Sequence, residues 1–239
     1  MASSSKAAAG VFLARLRAVD WDRYFCTLFA PAEAREDLAL LYLFNHELAR
    51  AREVASEPML ALIRLRWWEE VVEGAQRRHE VAGPLGAAIA RGAFAANDLA
   101  SLIEARRVEA EDDMSDVLTC LAYVRGTAGR LARVAGSRLG AESSAVEDLG
   151  TAYGIAGLQR AASFHLKQGR SLLPADRTGL ERLNEEALRL LKARPPKQLL
   201  AAALPAAFVR RDLRHVAVVA GRGLMDRLSV LAAATTGRF

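Results

Sequence analysis

Residues 32–54 read AEAREDLALLYLFNHELARAREV, and this stretch decides the fold class. It opens directly after Pro31, which cannot sit inside a helix and so marks a helix start. Within it Leu38, Leu41, Tyr42, Leu43, Phe44 and Leu48 form a broad apolar face, and Arg50, Arg52 and Glu53 close it in charge. That is the pattern of a core helix with a solvated end. Upstream, Val11 to Phe29 repeats apolar residues at helical spacing and predicts one helix before Pro31. Downstream, Ser56 and Pro58 predict a turn and helix start, with a third helix over Leu60 to Glu80 that carries Trp67 and Trp68. Neighbouring helix positions point about 100° apart, so one indole is expected in the core and the other at its edge.

The same pattern continues along the chain. Gly83 and Pro84 punctuate it before shorter helices over Leu85 to Phe94 and Asp98 to Glu109. An acidic stretch, Glu109 to Asp116, reads as a solvated turn or helix N-terminus. Two long helices follow, about Met114 to Leu139 and Glu142 to His165. Gly126, Thr127, Gly129 and Gly154 in them admit two readings, close helix contact or room for a ligand tail. Leu180 to Ala193 and Gln198 to Ala220, with a kink at Pro205, complete the expected set. Met1 to Gly10 reads as a flexible tail, and residues 11–239 as one helical domain.

Composition agrees. Proline is 7 and glycine 17 in 239 residues, neither gathered in a long polar tract, and aromatic content is 6%. Alternating strand-like runs are nearly absent, which argues against a sheet. Cys26 and Cys120 are far apart in apolar helical contexts and read as buried free thiols. The 33 basic residues exceed the 28 acidic ones by a formal +5, but without a dense stripe interleaved with aromatics; nucleic acid is not an expected partner. The apolar run Leu199 to Phe208, flanked by Lys197, Arg210 and Arg211, is too short to span a bilayer. It reads as a core helix, or alternatively as a peripheral membrane contact.

Several segments in order carry a resemblance: Tyr24-Phe25, Arg35 to Glu53, Ile63-Arg64-Leu65-Arg66-Trp67-Trp68, Tyr123 to Gly129, and Gly150 to Pro174. Together they resemble the squalene and phytoene synthase family, clearly over residues 11–176. The resemblance implies an all-α, isoprenoid-synthase-type bundle with a central cavity. It also implies two acidic motifs on facing helices that hold magnesium against a diphosphate, because two carboxylates four residues apart share one helix face. In this sequence the first motif falls on Ala49, Arg50 and Glu53, and the second on Ala161 and His165, so one carboxylate remains.

The replacements are partly basic, and arginine grips phosphate directly. The ligand set so implied, for a diphosphate or a lipid, is Arg50, Glu53, Tyr123, Thr127, Arg160, His165 and Arg170, with no catalytic residue and no metal ligand assigned. Phe44-Asn45, Glu47-Leu48-Ala49, Ser56-Glu57, Leu158-Gln159-Arg160-Ala161 and Gly169-Arg170 narrow the resemblance. They are similar to the degenerate, non-synthase branch that serves assembly of mitochondrial respiratory complex I. What that branch implies is an isoprenoid or lipid ligand, a complex I subunit as partner, and no cofactor. It also implies a place in a bacterial cytoplasm or organellar matrix, peripheral on the inner membrane. The competing expectation is an active prenyl-diphosphate transferase, magnesium-dependent, with a rearranged site.

Overall fold

A computed structural model describes residues 10–55, 57–110, 116–214 and 221–239. The expected tail over residues 1–9, Ser56, the acids Asp112 and Asp113, and the end of the expected helix to Ala220 lie outside the described residues. Within them the chain is helical and carries no β-strand.

The expected first helix is two. Val11–Val19 (α1) ends at Asp20, whose carboxylate accepts the backbone N–H of Arg23 at 3.0 Å and thereby caps Trp21–Thr27 (α2). An aspartate is a strong helix start, and here it outweighs the unbroken apolar spacing. Ala32–Glu53 (α3) follows Pro31, and every residue from Asp37 to Asn45 is buried. A helix covered on all sides runs through the core, which is what its wide apolar face foretold.

Pro58–Val72 (α4) stops earlier than expected, because Gly74 takes a left-handed φ of 109° that ends the helix. Trp68 is buried and Trp67 half-buried, their rings 4.9 Å apart and edge-to-face. Ala82–Ala90 (α5) includes Pro84 in its first turn, where proline is tolerated, so Pro84 does not punctuate as expected. Ala96–Ala105 (α6) and a 3-10 turn at Arg107–Ala110 come next.

The expected long helix is Val117–Val124 (α7) and Arg130–Arg138 (α8), joined by a π-helical turn at Arg125–Gly129. Asp116 caps it, accepting from the N–H of Thr119 at 2.9 Å. Ser144–Lys167 (α9) packs against that turn, α8, Arg177–Leu190 (α10) and Val209–Arg214 (α12). A methyl group built on Gly150 would lie 2.4 Å from Ala132 Cβ, and one on Gly154 would lie 2.7 Å from Ala128 Cβ. These glycines bring α9 against the π turn and α8. Gly150→Ala is therefore expected to lower stability by about 1–3 kcal/mol, read as a lower urea midpoint. Half-buried Gly86, inside α5 with nothing near its missing methyl, is the control, where alanine is expected to be neutral to stabilising by up to about 1 kcal/mol.

Leu199 to Phe208 form two 3-10 turns around Leu200–Ala203 (α11), and Pro205 opens the second of them. Leu199, Leu204 and Phe208 are fully buried, so the peripheral-membrane alternative for this run is overturned: its apolar atoms are already covered by the protein. The sequence reading missed Leu224–Thr236 (α13) altogether. Its inner face holds Asp226, Val230 and Ala233, while Leu224, Met225, Leu228 and Leu231 face solvent. No helix among the described residues is long and apolar enough to cross a membrane. Cys26 and Cys120 are buried, and the Cys120 thiol donates to the Leu172 carbonyl at 3.4 Å.

Candidate functional site

A cavity of about 440 Å³ opens where the α1–α2 junction meets α3, the π turn and α9. Asp20, Asp22 and Arg23 line it from the junction, Asn45, His46 and Ala49 from α3. Opposite them stand Tyr123 and Thr127, and from α9 Tyr153, Gly157 and Arg160. Gly157 carries no side chain into a space with only the tip of Arg160 near it, so the wall there stays open.

Three arginines reach this cavity, and each is already engaged by carboxylate. Arg23 donates to Asp20 at 2.6 Å and lies over the rings of Tyr42 and Tyr153. Arg106 donates to Glu109 at 2.8 Å, to Tyr123 Oη at 2.9 Å and to Asn45 at 3.1 Å. The hydroxyl of Tyr123 in turn donates to Glu109 at 2.6 Å, and Arg170 stands 3.8 Å from the same carboxylate. Arg160 sits 3.1 Å from Asp22 and 3.0 Å from Asp212. Arg222 locks that group, with Nε 2.8 Å from Asp22 and Nη1 2.6 Å from Asp212.

Burial is the largest influence on Asp22 and raises its pKa, yet the hydrogen bonds and charges of Arg222, and then Arg160, outweigh it and hold Asp22 below the usual carboxylate range. Burial pushes the Tyr123 and Tyr153 hydroxyls up, keeping both protonated. His46 is lowered by burial and by Arg50, against Glu47 and Asp20. His165 is lowered by burial and by Arg170. Both imidazoles are thus biased toward the neutral form.

The residues named from sequence fall in three places. Tyr123, Thr127 and Arg160 line the cavity, although the Thr127 hydroxyl is donated to the Tyr123 carbonyl at 2.7 Å. Glu53, His165 and Arg170 gather around Glu109: its charge raises Glu53, second to burial, and is felt at His165. Arg50 is exposed and lines a separate outer groove. Sequence reasoning missed Arg106, Glu109, Asp22, Asp212 and Arg222 as members of the site. The three-residue spacing of Arg106 and Glu109 was the one local sign.

Magnesium requires several hard oxygen ligands. Of the positions that the family resemblance assigns to it, Ala49, Arg50, Glu53, Ala161 and His165, only Glu53 carries a carboxylate, and that carboxylate is biased toward its protonated form. The neighbouring Glu109 and Asp22 are committed to arginine. Among the described residues, no group of three histidine, cysteine, aspartate or glutamate side chains converges on one point. This donor set does not fit a magnesium ion.

The fold and the cavity define an all-α, isoprenoid-synthase-type bundle. A crystal structure of a dehydrosqualene synthase in complex with ligand superposes with a TM-score of 0.71 at 13% identity, covering 98% of this chain and 97% of that one, a likeness of fold. Residues 16–215 match the squalene/phytoene synthase model, and the chain belongs to that family. Among curated relatives, the human complex I assembly factor 6 is 27% identical over 180 residues, 72% of this chain and 54% of that protein. The Bos taurus protein of the same name is 28% identical over 180 residues, with the same coverage. The chain spans about half the length of these relatives.

Proposed function

We propose that this chain is a non-catalytic member of its family that serves the assembly of respiratory complex I, working beside the membrane that holds the complex. The observation that carries the reading is the internal ion-pair network at the position of the lost metal clamp. Where the family's chemistry develops charge on a departing diphosphate, electrostatic stabilisation by metal is the main source of rate. Here the carboxylates are absent or spent on arginine, and the cavity arginines are spent on carboxylates. A diphosphate would have to displace buried pairs in order to bind. The charges of the cavity wall neutralise one another, and the apolar part of an isoprenoid or lipid would find its contacts at Ala49, Val124, Gly157 and Leu158. The name shared by the curated relatives supports the assembly role.

In cells from which the gene has been deleted, native gels are expected to show loss of assembled complex I with other respiratory complexes unchanged. Wild type and Glu53→Gln are both expected to restore it, since the one surviving motif carboxylate has no metal to hold. Normal complex I in the deletion strain would overturn the assembly role, and failure of Glu53→Gln alone would point back to a working carboxylate.

A further inference from the structure

The central cavity has no uncommitted guanidinium among the described residues; the uncommitted ones lie outside it. Between the C-terminal half of α3 and the outer side of α4 runs a groove of about 360 Å³, within the size range of small-molecule sites, about 300–1,000 Å³. Its floor is aromatic: Trp67 and Trp68 meet edge-to-face, and the ring of His79 stands edge-on to both at 5.6 and 5.4 Å. Its rim is apolar and open to water, with Val54 46% and Ile63 58% exposed.

The groove's polar equipment is almost all donor. Arg50 and Arg64 both line it, and neither has an ion pair or hydrogen bond among the described residues, whereas Arg66 on the same helix is engaged by Glu69 and Glu73. His79 Nδ1 accepts the backbone N–H groups of Val81 and Ala82 at 3.1 and 3.4 Å. That bond leaves the hydrogen of the neutral ring on Nε2, a further donor. Glu47 is the one acid in the lining. Two unpaired cations over an indole floor suit an anionic head joined to an apolar body, because arginine binds phosphate and carboxylate in a fork and indole takes up apolar surface.

We propose that this groove is a second ligand site, taking a single-chain amphiphilic anion. Its phosphate or carboxylate head is held by Arg50 and Arg64, and its chain lies on Trp67 between Val54 and Ile63. The site is separate from the central cavity and does not depend on the assembly role.

The test is a titration of intrinsic tryptophan fluorescence with dodecyl phosphate below its micelle concentration. Wild type is expected to give a saturable change. Arg64→Glu and Arg50→Glu, both at exposed positions and checked for an unchanged melting curve, are each expected to weaken binding by about tenfold or more. Dodecanol and inorganic phosphate, the tail and head alone, are expected to bind more weakly by a similar factor. Unchanged affinity in both variants would put the ligand elsewhere, the central cavity included, and overturn the proposal. So would dodecanol binding as tightly as dodecyl phosphate, or no response to dodecyl phosphate while phosphatidylglycerol vesicles bind through Arg64, which would make the partner a bilayer.

Discussion

Arg222→Ala is expected to lower the unfolding free energy by about 3–5 kcal/mol, the usual loss when one partner of a buried ion group is removed. Arg222 lies in the segment that leads into α13, 200 residues from Asp22 in sequence, and its guanidinium joins Asp22 to Asp212. Asp22 is 8% exposed and Asp212 6%, so both carboxylates are poorly solvated when the guanidinium is gone. Arg160 would remain as their shared cation. Arg222→Lys keeps the charge but lacks the fork that bonds both carboxylates, and is expected to fall between wild type and alanine. Urea unfolding followed by circular dichroism measures all three; a loss below about 1 kcal/mol would mean that the group behaves as a surface pair.

The same variant has a pH signature. The folded-state pKa of Asp22 is depressed, so its stabilising contribution is present above the unfolded value, about 3.9, and is lost as pH falls through the lower folded value. Without Arg222, burial is opposed mainly by Arg160, and the folded pKa rises. Asp22 then has less stabilisation to lose in acid, so the stability gap between wild type and Arg222→Ala is expected to narrow as pH falls below about 4, read from urea midpoints across pH.

Arg106→Ala is the second large effect, again about 3–5 kcal/mol. It strips Glu109, 5% exposed, of its nearest cation and leaves Asn45 and Tyr123 without a shared donor. The informative companion is Arg106→Met with Glu109→Leu. Buried ion pairs replaced together by apolar groups are often neutral or stabilising, so the double variant is expected to recover most of the loss. If the double variant is no better than the single one, Arg170 and His165 depend on Glu109 more than the 3.8 Å contact suggests.

The fold was legible where one physical signal dominated. In α3 the wide apolar face marked a core helix, and at Gly129 and Gly154, where the sequence left close contact and ligand room open, an added methyl would come within 3 Å of a neighbour. It was less legible where a local cap competed with periodicity, as at Asp20, or where a left-handed glycine ended a helix early, as at Gly74. The chain's last helix escaped because its apolar residues face solvent and its inner face carries Asp226, the reverse of the usual stripe. Of the residues the resemblance singled out, Tyr123, Thr127 and Arg160 fall on the cavity wall, while Arg50, Glu53, His165 and Arg170 do not. Asp22, Asp212 and Arg222 could not be read by position, because a network joined across the whole chain has no spacing to recognise.

The measurement that tests the central claim most directly is calorimetry of the purified protein with farnesyl diphosphate, with and without magnesium, alongside an assay of released pyrophosphate. The expected result is no pyrophosphate in either condition, and no tighter binding when magnesium is present. Magnesium-dependent release of pyrophosphate would contradict the account, and would mean that Glu53 and the arginine network rearrange into a working prenyltransferase site.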